Sequence, residues 1–158
     1  MTATAQAPLD DATHRQLAVD LYNHVWTLLD KPGRTRAEAD AMLHAAHASR
    51  YHWSRVGTTA NFARGEWLCS RVYATLGHGE SALRHAERCL ELVQENGEGF
   101  EDWDLAAAYE ALARAHGVLG GQAEARRYAR LAAEQAARIE DDEDREIIER
   151  QVTELGLT

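Results

Sequence analysis

The densest run of chemistry-bearing side chains is His44-Ala45-Ala46-His47-Ala48-Ser49-Arg50-Tyr51-His52-Trp53. On a helix His44, His47 and Tyr51 share one face, and His52 lies off it. Two histidines one turn apart can chelate a metal, and His14 or His24 could supply a further ligand from an upstream helix. A lasting site also wants a shell around its ligands. Downstream, however, no His–Asp or His–Glu pair is well placed, and His116 sits one position before a Gly near a helix end. Interhelical hydrogen bonding and partner contact suit the stretch better. His44, His47, Tyr51 and His52 are therefore read as a second interaction surface, with no metal and no cofactor expected.

Other chemistries lack their signatures. There is no serine nucleophile elbow, no phosphate-cradling Gly loop and no HExxH. Cys69 and Cys89 have His85 as their nearest candidate for activation, but both fall on apolar helical stripes. They read as buried small residues rather than as a nucleophile or a disulfide. Carboxylates are numerous and mostly on polar faces, so no acid–base pair stands out and no catalytic residue is expected. The 26 acidic and 17 basic residues leave a net charge of −9, which disfavours unspecific nucleic-acid binding. No apolar run has the length of a membrane span, and the start MTATAQAPLDD has neither the basic nor the apolar part of a secretion signal. A cytoplasmic protein follows as the expectation.

These residues must be positioned by helices. Eleven Gly and two Pro in 158 residues leave little material for loops, Ala and Leu are abundant, and no strand-like run occurs. An all-α single domain over 1–158 is expected. Residues 1–8 read as frayed, with Pro8 at the first turn of a helix that Asp10 and Asp11 favour. Hairpins follow at about 10–53, 61–96 and 102–140, and a last helix at about 142–155. Thr35 and Glu38 fit a capping box. Gly57 breaks the chain between the first two hairpins, Gly97 and Gly99 end the second, and Asp102 caps the fifth helix. The apolar side of the last helix is Ile147, Ile148, Val152 and Leu155.

The central stretch, Phe62 to Asn96, is echoed at Leu105 to Ile139. The second-helix starts at Ala39, Ala82 and Ala125 stand 43 residues apart, and Leu76-Gly77 matches Leu119-Gly120. Alanine where two helices cross lets their axes approach, and Gly after a helix closes the turn. Tyr73, Gly77, Ala82, Ala86 and Cys89 in one copy, and His116, Gly120, Ala125, Ala129 and Ala132 in the next, resemble the tetratricopeptide repeat family. The first pair matches through Ala39, Leu43 and Ala46. The period exceeds the family's usual 34 residues, Glu66 and Tyr109 stand where its early Trp would be, and its closing Pro is absent. The resemblance implies an α-α superhelix of three antiparallel hairpins plus a capping helix. It also implies a shallow concave groove lined by the first helix of each pair, at Arg64, Trp67, Arg71 and Ala74, then Ala107, Glu110 and Arg114.

An exposed Trp flanked by arginines suits a partner with an apolar anchor and carboxylates, so the groove is assigned to Arg64, Trp67, Arg71, Glu110 and Arg114. The Asn and Lys of the family's carboxylate-clamp subgroup are missing. The expected function is a non-enzymatic adaptor that binds a peptide or partner helix, with no nucleic acid and no membrane. Two alternatives stand beside it. The histidines of the first two helices are similar to those of DinB-like metal-binding proteins, which would imply a metal enzyme with His14 or His24 converging on His44 and His47. The aromatic second helix, through Tyr51 and Trp53, could instead form a structural homodimer.

Overall fold

The computed structural model describes residues 7–157, so the start of the stretch read as frayed lies outside the described residues. Among these residues there are seven α-helices and no strand: α1 (Asp11–Leu29), α2 (Arg36–Val56), α3 (Thr59–Thr75), α4 (Gly79–Glu95), α5 (Asp104–Val118), α6 (Gln122–Ala136) and α7 (Asp142–Glu154). Helix α1 pairs with α2, α3 with α4, and α5 with α6, while α7 packs on α6 and α5.

Local chemistry sets most boundaries. Asp10, not Pro8, opens α1: its carboxylate takes the Thr13 amide at 2.7 Å, and Pro8 stays ahead of the helix. Arg34 closes α1 by donating to the carbonyls of Leu28 (3.1 Å) and Leu29 (3.0 Å), groups a helix end otherwise leaves unpaired. The capping box of α2 is reciprocal, with Glu38 N–H on Thr35 Oγ1 at 3.2 Å and Thr35 N–H on Glu38 Oε2 at 2.9 Å. That helix runs on to Val56, and α3 begins at Thr59, so only Gly57 and Thr58 separate the first two hairpins.

The two internal turns are built alike. Gly77 and Gly120 sit at φ 81° and 78°. His78 N–H bonds Tyr73 O at 2.9 Å, and Gly121 N–H bonds His116 O at 2.9 Å. A residue with a Cβ would be strained at these left-handed positions. After α4 the chain is left-handed first at Asn96, at φ 50°, which caps the helix, and again at Gly99, at φ 88°, but not at Gly97.

Asp102 does not cap α5. Its carboxylate receives Glu140 N–H at 2.9 Å and ties the α6–α7 link to the start of α5. Asp104 takes the local role, accepting from Glu101 N–H at 2.8 Å.

Buried alanines mark the helix crossings: Ala82, Ala86, Ala125, Ala129 and Ala132 are all inaccessible. Ser49 Oγ donates to Ala18 O (2.7 Å) and Ser70 Oγ to Ala82 O (2.8 Å), binding the partners within the first two hairpins. Helices α3 and α5 are buried nearly all round, which places them at the centre of the molecule. Cys69 and Cys89 are buried free thiols. Burial, ahead of the nearby Glu66 charge, pushes Cys69 up to about 12, so it is no thiolate at neutral pH.

Candidate functional site

Helices α1, α3, α5 and α7 each contribute residues to one cleft. It encloses about 250 Å³ and is lined by Tyr22 and Trp26 of α1, Ala63, Arg64 and Trp67 of α3, Asp104 and Ala107 of α5, and Asp144, Ile147 and Gln151 of α7, with Trp103 beside them. The expected groove is thus not open across its width, because α7 stands over it opposite α1.

Four of the five residues assigned to the groove are held in contact with one another or with the cleft wall, in a different state from the one expected. Trp67 is 8% exposed rather than presented to solvent; it stacks on Trp26 with ring centroids 5.9 Å apart. Its indole N–H donates to Glu110 Oε2 at 3.3 Å, a residue 43 positions on. Glu110 is 0% exposed. Arg114 donates to it through Nε at 2.8 Å and through a second, shorter bond. Arg71 Nη1 lies 3.9 Å from Glu110, too far for a hydrogen bond. That nitrogen is buried without a partner among the described residues. Burial, then the Arg114 charge, lowers the Arg71 guanidinium from its usual value, yet an arginine stays cationic in such a site.

The remaining assigned residue, Arg64, makes its own pair at the other end of the cleft. Nε and Nη2 bond the two oxygens of Asp104 at 3.0 and 2.8 Å, and Nη2 reaches Gly99 O at 3.2 Å. Its guanidinium also covers the Trp103 ring, 4.5 Å from the centroid. A bidentate pair of this kind fixes direction as well as charge.

The histidines take separate routes. His14 Nδ1 meets His52 Nδ1 at 2.9 Å, and Tyr51, 59% exposed, stands edge-on to His52 with centroids 5.5 Å apart. His47 Nε2 pairs with the Tyr73 hydroxyl at 3.0 Å. His85 bonds Glu66 Oε2 at 2.6 Å, and Arg50 Nε donates to Glu66 Oε1 at 3.1 Å. Burial raises the Glu66 carboxyl, but the bond and charge of His85, together with Arg50, hold it below the usual value. His44 and His24 are exposed. The set expected for a metal enzyme does not converge: His14 turns to His52, and His47 to Tyr73. Among the described residues no three His, Cys, Asp or Glu side chains are placed to hold a metal.

No family model, curated protein or solved structure matches the chain. The geometry alone therefore carries the functional reading. It offers an aromatic cleft and an arginine nitrogen without a hydrogen bond, while Cys69 Sγ, 3.9 Å from His47 Nδ1, is held a thiol by burial. Tyr22, Trp26, Trp103, Asp104, Asp144 and Gln151 were not singled out as a site from sequence. The one available signal was the chain's aromatic content; Trp26 and Tyr22 look like ordinary core positions until α3 and α7 are set against them.

The histidine pairs make stability pH-dependent. Burial, followed by the His85 charge for His47 and the His14 charge for His52, lowers both below the ordinary 6.5. The unfolded chain therefore binds more protons, and stability rises with pH across that interval. Their contribution is complete above about pH 6.5 and is lost as the pH falls toward the lowered folded values. Urea midpoints should drop between about pH 7 and pH 5, and the slope should flatten in a His47→Asn, His52→Asn double variant. Paired carboxylates such as Glu66 act only lower, below the 4.5 of an ordinary Glu. An unchanged slope in the double variant would remove the histidines from the account.

Proposed function

We propose that the chain is a non-enzymatic interaction module, resembling the tetratricopeptide repeat family, that receives a partner segment between α1 and α7. The observation that carries this is the aromatic cleft of about 250 Å³ on the inner helices. A pocket of that size suits one inserted side chain better than a whole cofactor. Beyond it, the unpartnered Arg71 Nη1 supplies a donor for a carboxylate of the same partner. The net charge of −9 argues against nucleic acid as the partner. No helix among the described residues is long and apolar enough to cross a membrane, and two free buried thiols fit a cytoplasmic setting.

The test is at the rim. Ile147 lines the cleft and is 42% exposed, so Ile147→Asp places a charge at the entrance without opening the core. Quantitative pull-downs with the wild type, this variant and Arg127→Glu, a control at an exposed α6 position, should show one partner lost by Ile147→Asp alone. Its purified form should bind the variant on the order of tenfold more weakly. Equal recovery of every protein by all three baits would overturn the assignment.

A further inference from the structure

We infer that the cleft takes an alkylammonium group, presented as a lysine side chain of the partner; this rests on the reading that a partner enters between α1 and α7. Several polar groups of the cleft are already spent. Arg64 is committed to both oxygens of Asp104, to Gly99 O and to the face of Trp103. The one cation of the lining and one of its carboxylates thus neutralise each other. The Trp67 indole N–H is spent on Glu110.

Two acceptors of the lining remain without a partner, alongside the Tyr22 hydroxyl, the Trp26 and Trp103 indole N–H groups and the Gln151 amide N–H groups. The Asp144 carboxylate has no hydrogen-bond or ion-pair partner among the described residues. Its own amide is bonded backwards to Asp141 at 3.0 Å, so Asp144 sits in the first turn of α7 with its side chain unclaimed. Gln151 Oε1 is buried and has no partner. Both residues line the cleft. The lining charges, Arg64 against Asp104 and Asp144, leave one negative charge over.

The walls select the same ligand. Tyr22, Trp26 and Trp67 border the space, with Trp26 and Trp67 stacked at an interplanar angle of 27°. The negative faces of indole and phenol rings attract a cation within about 6 Å, Trp most strongly, and more so where water is excluded. Trp103 shows the affinity within this very cleft, since it already carries the Arg64 guanidinium on its face. Aromatic walls suit the apolar stem of a lysine, while Asp144 and Gln151 suit its three ammonium donors. An anionic ligand would meet the surplus negative charge of the lining at Asp144.

The indole N–H signals of the intact ¹⁵N-labelled protein test this. Trp26, Trp67 and Trp103 line the cleft, and Trp53 does not, so it serves as the internal reference. The probes are blocked lysine (Nα-acetyl-lysine N-methylamide) and the matching norleucine derivative, which keeps the stem and lacks the ammonium. The lysine probe should shift Trp26, Trp67 and Trp103 at about a tenfold lower concentration than norleucine, leaving Trp53 unmoved. Asp144→Asn should remove most of that preference. Gln151→Leu should weaken the lysine probe while sparing norleucine. Equal shifts from both probes would make the cleft merely apolar and overturn the ammonium, with the partner reading intact. Shifts of Trp53 together with the rest, or no shift from either probe, would also overturn it. In both cases the partner reading then stands or falls on Ile147→Asp alone.

Discussion

Glu110→Ala is expected to destabilise the fold by about 3 kcal/mol, the lower end of what removing one partner of a buried ion pair costs. Among the described residues Glu110 is the one charged side chain that is fully inaccessible. It accepts from Trp67 and Arg114 and faces Arg71 at 3.9 Å. Without it, two guanidinium groups of like charge confront each other. Their side chains keep 20% and 18% of their exposure, which is why the lower end of the range applies. The measurement is a urea unfolding curve at neutral pH. A companion cycle with Arg114→Met should show the two substitutions far from additive, because each removes the same interaction. A loss below about 1 kcal/mol, typical of exposed pairs, would show that Glu110 is hydrated in solution.

Leu68→Ala should cost about 4 kcal/mol, in the upper part of the range for emptied leucine sites. Leu68 is wholly buried at the middle of α3, and α2, α4 and α5 all pack on that helix. It shares the buried core with alanines, among them Ala63 and Ala86. Short side chains have no spare length with which to fill a void, and three surrounding helices restrict collapse. Val19→Ala, at a 38% exposed position of α1, should cost well under 1 kcal/mol and calibrates the comparison. Equal losses from the two variants would mean that α3 is not the centre of the core.

The groove helices were legible in part. Arg64, Trp67 and Arg71 do share one side of α3, because helical spacing fixes which residues of a single helix face together. What they face was not legible. Trp67 was expected at the surface and is instead sealed by Trp26, 41 positions upstream, and by Glu110 downstream. The same limit applies to His52. On its own helix it lies apart from His44 and His47, which says nothing of the His14 ring that meets it from α1. Asp102 departs from its local pattern for a related reason. An aspartate just ahead of a helix is a good cap by local rules, yet its carboxylate is drawn to Glu140 N–H by the return of the chain after α6.

The sequence by itself determined that this chain is helical, where its hairpins turn, and which alanines sit at helix crossings. Those are properties of one helix or one turn, written in capping residues, left-handed glycines such as Gly77 and Gly120, and a periodic apolar stripe. Only the tertiary structure decided that α7 borders the inner face and that Arg71 Nη1 is left without a hydrogen bond. It also decided that Asp144 and Gln151 are the acceptors still free there. Those outcomes depend on how far each hairpin rotates on the last. Packing between helices far apart in the chain brings residues of α1 and α7 to one space without leaving any mark in the local pattern of either.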